Sequence, residues 1–213
     1  VTGGGVTTPA VAGTEPAEDG SIIFMGNEVK MHSPSQAREL GIETVYQDLA
    51  LCPHLDPVNN LFLGREIKVK VLLGALGFMN RKEMRQQSID AFSDLGATVR
   101  TLTEPVGTMS GGQKQSIAVA RAAAWANKII FLDEPTAALG VVQTANVLDL
   151  IRRVRDKGIG VVLISHSMPE VLAVADRVQV MRRGRRVAIY QAANTNIEEL
   201  VATMTGALDE EVA

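Results

Sequence analysis

Two different spacings of apolar residues mark the chain from residue 111 onward. Short, mostly apolar runs at 129–132 and 160–165 are typical of buried strands. Apolar residues recur every three to four positions over 111–126 and 141–157, which predicts amphipathic helices. Gly158 is placed to end the second of these helices. Strands that alternate with helices of this length predict an α/β domain with a largely parallel sheet.

The first half of the chain is less regular. Residues 1–20 are rich in Gly, Thr, Pro and Ala without periodicity, so we expect a poorly specified segment, above all at 1–13. Residues 49–110 predict a mainly helical subdomain within the α/β domain. The other predicted elements are a hairpin at 21–29, a short helix capped by Ser33 with Pro34 in its first turn, a strand at 42–46, a polar helix at 81–95, helices at 169–175 and 197–204, and a hairpin turn at 182–186.

Two apolar stretches bear on packing. The stretch at 61–63 has two interpretations, which the sequence leaves open: an apolar groove that receives a partner, or the core of the subdomain. The helix at 141–157 has apolar side chains at helical spacing that predict its core face, namely Val141, Ala145, Leu148, Ile151 and Val154.

Composition excludes several classes of protein. The chain has 213 residues, a formal net charge of −3 and 4% aromatic residues, which disfavours a nucleic-acid binder. Its single cysteine, Cys52, cannot form an internal disulfide and fits a reducing compartment. No apolar run approaches the roughly 20 residues of a membrane-spanning helix. The chain begins with Val rather than Met, so we expect a fragment or a processed form.

Two adjacent carboxylates follow the apolar strand at 129–132. Asp133 and Glu134 would emerge at its carboxyl end, which is where open α/β sheets bind ligands. One carboxylate can hold Mg²⁺, directly or through water, and the next can polarise an attacking water. The alternative is that both residues are acidic caps of a following helix.

A second candidate site precedes the helix at 111–126. Ser110 is placed to cap this helix, and Gly111 and Gly112 allow its backbone to approach a ligand closely. Exposed N–H groups at a helix start favour anions. Taken alone, the stretch Ser110–Gln113 is equally well a plain loop.

Together these motifs resemble those of ABC transporter ATPases. Residues 109–113 are similar to the signature motif, and 133–136 are similar to the Walker B motif. Gln47 resembles the Q-loop glutamine and His166 the switch histidine, both in the family's order. The resemblance covers about 10–206 and implies a P-loop NTPase (RecA-like) fold with a helical subdomain. The stretches at 41–47 and 61–66 look like sugar importers of the ribose, xylose and fructose group.

The resemblance implies a role for each matching residue. Glu134 would be the general base or position the attacking water, Asp133 would support Mg²⁺, and His166 would hydrogen-bond the γ-phosphate of ATP. Gln47 would contact Mg²⁺ or the water and report to the membrane partner. The signature residues would contact ATP held by the opposite subunit of a head-to-tail homodimer; they are Ser110, Gly111, Gly112 and Gln113.

The same resemblance implies partners and location. It points to an ATP-hydrolysing subunit at the cytoplasmic face of the membrane, bound to transmembrane permease subunits and served indirectly by a sugar-binding protein. Alternatives are a DNA or ribosome-associated ATPase and a non-hydrolysing remnant that only binds a partner. The interval of 63 residues between Gln47 and Ser110 has the size of the importer subdomain and argues against the first alternative.

Two departures from the family pattern stand out. Gly140 occupies the place where the family's D-loop has an aspartate. More importantly, no Gly-x-x-x-x-Gly-Lys-Ser/Thr string occurs in the chain, and the family's lysine and hydroxyl positions fall on Gly4 and Gly5. We therefore expect that the first strands and the P-loop are missing, and that the chain as it stands is inactive.

Overall fold

A computed structural model describes residues 10–15, 20–69 and 77–207. Gly4 and Gly5, and with them the expectations for 1–9, lie outside these ranges. The chain divides into two compact units. The first comprises the described residues up to Thr44, Ala126–Glu134, and those from Ile159 onward. The second comprises Val45–Trp125 and Pro135–Gly158, and so extends beyond the segment 49–110.

The first unit contains two hairpins and a three-stranded sheet. Its elements are β1 (Ile22–Phe24), β2 (Asn27–Val29), α1 (Pro34–Glu39), β3 (Ile42–Val45), β4 (Ile129–Asp133), β5 (Gly160–Ile164), α6 (Met168–Val174), β6 (Arg177–Arg182), β7 (Arg185–Gln191) and α7 (Ile197–Thr205). The second unit is helical: α2 (Pro57–Phe62), α3 (Arg81–Leu95), α4 (Gly111–Trp125) and α5 (Val141–Asp156). These bounds confirm the predicted elements to within one or two residues.

The sheet has the strand order β3-β4-β5, with β4 in the centre. β4 and β5 are parallel and in register from Ile129 opposite Gly160 to Asp133 opposite Ile164. Ile130 and Leu132 on one face of β4 and Phe131 on the other are all buried, as expected for a central strand covered on both faces. The predicted parallel pairing is confirmed, and it brings the carboxyl ends of β4 and β5 to the same edge.

Both hairpins close with two-residue turns. Met25 and Gly26 have φ of 51° and 83°, and Arg183 and Gly184 have φ of 49° and 77°. Positive φ at both central residues is the geometry that matches the twist of paired strands. The arginine-rich stretch 182–186 is thus a hairpin turn, as predicted. Beneath β6 and β7, one apolar cluster includes Val178 and the fully buried Leu200 of α7.

The second unit is built around α4, which packs against α2, α3 and α5. Leu61 and Phe62 are 2% and 1% exposed, whereas Leu63 is 51% exposed. The 61–63 stretch therefore contributes two residues to the core of the subdomain, and one to its surface.

The prediction of which residues of α5 face the core is wrong for the first turns of this helix. Val141 is 88% exposed and Ala145 is also exposed, whereas Leu148, Ile151 and Val154 are buried as predicted. Val147 and Leu150 complete the buried face. The helical spacing continues to the start of α5, but burial requires a neighbouring element, and the first turns of α5 have none that covers Val141 among the described residues.

Candidate functional site

Glu134 and His166 are joined at the carboxyl edge of the sheet. Glu134 Oε1 lies 2.8 Å from His166 Nδ1, so the ring N–H donates to the carboxylate. Glu134 follows the last residue of β4, and His166 comes two residues after β5. The parallel register of these strands brings the two side chains together although they are 32 positions apart.

The backbone fixes Glu134 in an uncommon conformation. Its φ is 48°, in the left-handed region that costs a residue with a Cβ roughly 1–2 kcal/mol. Its N–H donates to Ile164 O at 2.9 Å, which extends the pairing of β4 and β5 by one residue. Beyond β5, Ser165 Oγ accepts from Ser167 N–H at 3.1 Å and turns the loop that carries His166. A backbone hydrogen bond therefore holds the Glu134 side of the pair, and a bond from the backbone to the Ser165 side chain holds the His166 side.

The pair also has defined electrostatics. The hydrogen bond to Glu134, helped by the charge on that carboxylate, raises the pKa of His166 above its ordinary value. Burial raises the pKa of Asp133, and the charge on Glu134 adds to this effect. The His166 side chain is 80% exposed and the Glu134 side chain is 21% exposed. The site thus consists of the largely buried carboxylate of Glu134, hydrogen-bonded to the exposed imidazole of His166.

Replacing Glu134 with glutamine is expected to lower the pKa of His166 toward the ordinary value of about 6.5. The pKa of His166 is higher in the folded state than in the unfolded state, so the contact gives its full stabilisation below the unfolded-state pKa of this histidine. The stabilisation is lost as pH rises through the folded-state pKa. NMR titration of the ring protons measures the shift, with His32→Gln and His54→Gln variants to assign the signals. An unchanged His166 pKa in Glu134→Gln would contradict the pairing.

The signature stretch forms the start of α4. Ser110 Oγ accepts from Gln113 N–H at 3.3 Å, and Gln113 Oε1 accepts from Ser110 N–H at 3.1 Å. This reciprocal capping box confirms Ser110 as the cap of the helix. It also gives the Gln113 side chain a structural partner within its own chain, separate from the ligand contact expected for it.

The two signature glycines differ in their surroundings. A Cβ on Gly111 would meet Leu139 Cδ2 at 3.6 Å, an ordinary contact. A Cβ on Gly112 would come within 2.7 Å of Gln143 Cγ, on α5. Gly112 is therefore required for the close packing of α4 on α5, whereas the exposed backbone of Gly111 is open to a ligand.

Gln47 lies in the second unit, two residues after the end of β3. Its side chain is exposed and it begins a turn that runs to Ala50. Leu49 and Ala50 have φ of 62° and 44°, two successive left-handed residues without glycine. Arg121 of α4 donates to the carbonyls of both. The sequence prediction missed Arg121; the available signal was a single charged side chain within the apolar stretch 117–124 of α4.

The described part of the chain shows neither a metal cluster nor a membrane span. Within these ranges, no group of three or more His, Cys, Asp or Glu side chains could hold a metal ion. None of the helices described is both long enough and apolar enough to cross a membrane.

Comparison with known proteins decides the family. The family model for ABC transporters matches residues 3–137. The chain belongs to the ABC transporter family. As a family member, it resembles the fructose import ATP-binding protein FrcA of Rhizobium meliloti, with 44% identity over 93% of this chain and 77% of that protein. It is 40% identical to the xylose/arabinose import ATP-binding protein XylG of Sulfolobus acidocaldarius, over 92% of this chain and 75% of the relative.

Solved ABC cassettes share the fold. One is a dimeric ATP-binding cassette in a post-hydrolysis state bound to ADP and phosphate, with a TM-score of 0.71, 19% identity, and coverage of 89% of this chain and 81% of the other. A nucleotide-free ATP-binding cassette has a TM-score of 0.72, 21% identity, and coverage of 96% and 80%. The predicted fold class, that of a P-loop NTPase of the ABC type, is confirmed.

Proposed function

We propose that this protein is the ATP-hydrolysing subunit of an importer of a monosaccharide. The observation that carries the proposal is the contact of 2.8 Å between Glu134 and His166 at the carboxyl edge of β4 and β5. A carboxylate and an imidazole at this edge can activate a water and stabilise developing negative charge on a phosphoryl group. The names of relatives that import fructose and xylose or arabinose support the substrate class.

Glu134 is proposed as the general base or the group that positions the attacking water. Its left-handed backbone and its bond to Ile164 O fix the carboxylate before substrate arrives. Oε1 is engaged by the ring of His166, which leaves Oε2 to accept a proton of the water. Such preorganisation lowers the cost of reaching the transition state.

His166 is proposed to hydrogen-bond the γ-phosphate. Because Nδ1 donates to Glu134, Nε2 is left for substrate, and the ring is exposed to it. The raised pKa of His166 increases the fraction of imidazolium, in which Nε2 also carries a proton and can donate to a phosphoryl oxygen. The same bond thus orients the imidazole and raises its positive charge.

Asp133 is proposed to support Mg²⁺, and Gln47 is proposed to contact Mg²⁺ or the attacking water. Burial and the neighbouring Glu134 disfavour the charge on Asp133, and a divalent cation would relieve both effects. The carboxylate of Asp133 fits Mg²⁺, which takes few protein ligands and completes its shell with phosphate and water oxygens. Bound Mg²⁺ would neutralise charge on the phosphates.

Ser110, Gly111 and Gly112 are proposed to contact ATP held by a second copy of the chain in a head-to-tail dimer. The start of α4 presents backbone N–H groups and the positive end of the helix dipole, and Gly111 leaves its backbone uncovered. A ligand between two copies would use this surface of one and the Glu134–His166 pair of the other. The dimeric cassette among the similar structures supports a dimer.

The remaining partners are proposed from the same relatives. A transmembrane permease dimer would contact residues 48–66 at the cytoplasmic face, and a sugar-binding protein would deliver substrate to it from the other side. Within this stretch, Leu63 offers an exposed apolar side chain next to the buried Leu61 and Phe62. We expect crosslinkers placed at 48–66 to reach the cytoplasmic loops of the permease. Crosslinks confined to the hairpin at 182–186 would contradict this docking surface.

The alternative is a non-hydrolysing partner-binding module, which the import ATP-binding proteins among the relatives do not favour. The two candidates are separated with a P-loop chimera, in which the first strands and this loop of an ABC ATPase replace residues 1–13. Release of phosphate from Mg-ATP by the chimera, above that of the same chimera with Glu134→Gln, supports the hydrolytic function. Binding of ATP without such release supports the partner-binding module.

A further inference from the structure

Arg121 fixes the turn that follows Gln47. Its guanidinium donates through Nη1 to Ala50 O at 2.8 Å and through Nη2 to Leu49 O at 3.0 Å. These contacts span more than 70 positions of sequence and lie within the second unit. A planar fork that donates to two carbonyls at once fixes both distance and direction, which a single bond does not.

The turn needs such support. Leu49 and Ala50 are both left-handed, and residues with a Cβ avoid this conformation. Because Leu49 and Ala50 are both left-handed, their carbonyl groups point in the same direction, toward the guanidinium of Arg121. Inside the turn, Leu49 N–H donates to Tyr46 O at 2.9 Å, and Ala50 N–H donates to Asp48 Oδ1 at 3.2 Å. Arg121 adds a hydrogen bond to the carbonyl of each of these two residues.

The segment beyond the turn is tied to the same helix. Trp125 lies one helical turn after Arg121, and its Nε1 donates to Leu61 O at 2.8 Å. Its ring also meets Phe62 edge-on at 5.4 Å, with the guanidinium of Arg65 above it at 4.9 Å. Residues at i and i+4 share one face of a helix, so α4 holds both ends of the segment 49–61 on a single face.

The interior of the segment 49–61 is also held by hydrogen bonds. The fully buried Asn60 accepts from Cys52 N–H at 2.8 Å. Its amide donates to Cys52 O at 3.0 Å and to the carbonyls of Leu55 and Asp56, each at 3.1 Å. The segment 49–61 is thus a preformed piece that α4 holds at its two ends.

We propose that Arg121 is a positioning residue that ties the turn after Gln47 to α4, so that Gln47 and the signature residues Ser110–Gly112 move as one piece. α4 begins at Gly111, and the ten residues to Arg121 span roughly 15 Å of continuous helix. A displacement at the start of α4 is then transmitted through Arg121 to Gln47. The importance of this coupling for transport rests on the proposed function, whereas the tie itself does not.

Hydrogen exchange of the 213-residue chain without nucleotide tests the tie. In Arg121→Met, we expect the amides of Leu49 and Ala50 to exchange tenfold faster or more, which corresponds to about 1.4 kcal/mol. Amides of α3 should be unchanged. Trp125, the only tryptophan, should keep its emission maximum, because its bond to Leu61 O does not involve Arg121. Arg85→Met, which removes an exposed arginine of α3, is the matched control and should leave 49–50 unchanged.

Arg121→Lys separates positioning from general stabilisation. An ammonium retains the charge but cannot donate to two carbonyls in fork geometry, so exchange at 49–50 should lie between that of the parent chain and that of Arg121→Met. If Arg121→Met does not fold, Arg121→Lys still decides the proposal. Unchanged exchange at 49–50 would overturn it. Acceleration spread equally over α3 and accompanied by a shifted Trp125 emission would also overturn it. Both outcomes are independent of hydrolysis, so they leave the proposed function standing.

Discussion

Mg-ATP titrated into the 213-residue chain is expected to give no saturable heat at micromolar concentrations. The lysine, the hydroxyl and the ordered N–H groups of a Gly-x-x-x-x-Gly-Lys-Ser/Thr loop are not supplied by this sequence. Charge-assisted hydrogen bonds of this kind contribute roughly 1.5–3 kcal/mol each. Losing three costs about 5–9 kcal/mol, and each 1.4 kcal/mol is about tenfold in affinity, so a micromolar site would fall beyond the millimolar range.

The P-loop chimera is the control for this titration and should bind Mg-ATP with a micromolar dissociation constant. The signature residues cannot replace the loop, because they are proposed to contact nucleotide already held by another copy. Saturable micromolar binding by the unaltered chain would contradict the prediction. It would show that residues 1–13 form a phosphate site of their own.

Glu134→Gln in the P-loop chimera is expected to lower kcat by roughly 100-fold or more while leaving the affinity for ATP within a few-fold. Glutamine retains the size of the side chain and can still accept a hydrogen bond from His166. It cannot take a proton from the water, so the loss appears mainly in the transition state. Phosphate release at saturating Mg-ATP, together with calorimetric binding, separates the two effects.

Glu170→Gln is the matched control for this substitution. It removes another carboxylate that raises the pKa of His166, but more weakly than Glu134 does. We expect its kcat to stay within about twofold of the chimera, because the carboxylate that is hydrogen-bonded to the His166 ring is that of Glu134. Near-normal turnover in Glu134→Gln would instead transfer the role of base to another group, with His166 as the first candidate.

Much of the fold could be predicted from local pattern. A short apolar strand followed by Asp133 and Glu134 predicts a carboxylate edge, because parallel strands end together. The cap at Ser110 and the end of α5 before Gly158 follow from backbone hydrogen bonds that only a few residue types satisfy. These features depend on a few neighbouring residues, so a single sequence is sufficient to predict them.

Features that depend on distant partners could not be predicted. The spacing of α5 assigned Val141 to the core, but periodicity identifies a face and does not tell how far a neighbour covers it. The bond between Glu134 and His166 joins residues 32 positions apart, and the left-handed backbone at Glu134 is not favoured by its own side chain. Arg121 donates to backbone carbonyls, which every residue has. The side chains of Leu49 and Ala50 therefore give no signal from which this contact could be predicted.

The most direct test of the account mixes two inactive P-loop chimeras, Glu134→Gln and Gly111→Asp. A Cβ at Gly111 makes an ordinary contact, and an acidic residue is favourable at a helix start, so Gly111→Asp should fold while repelling phosphate. Random pairing of equal amounts of the two variants makes half of the dimers mixed. If each site uses Glu134 of one copy and Gly111 of the other, each mixed dimer has one intact site out of two. The account predicts recovery of about a quarter of the parent rate of phosphate release. A mixture that stays at the rate of the separate variants would contradict it.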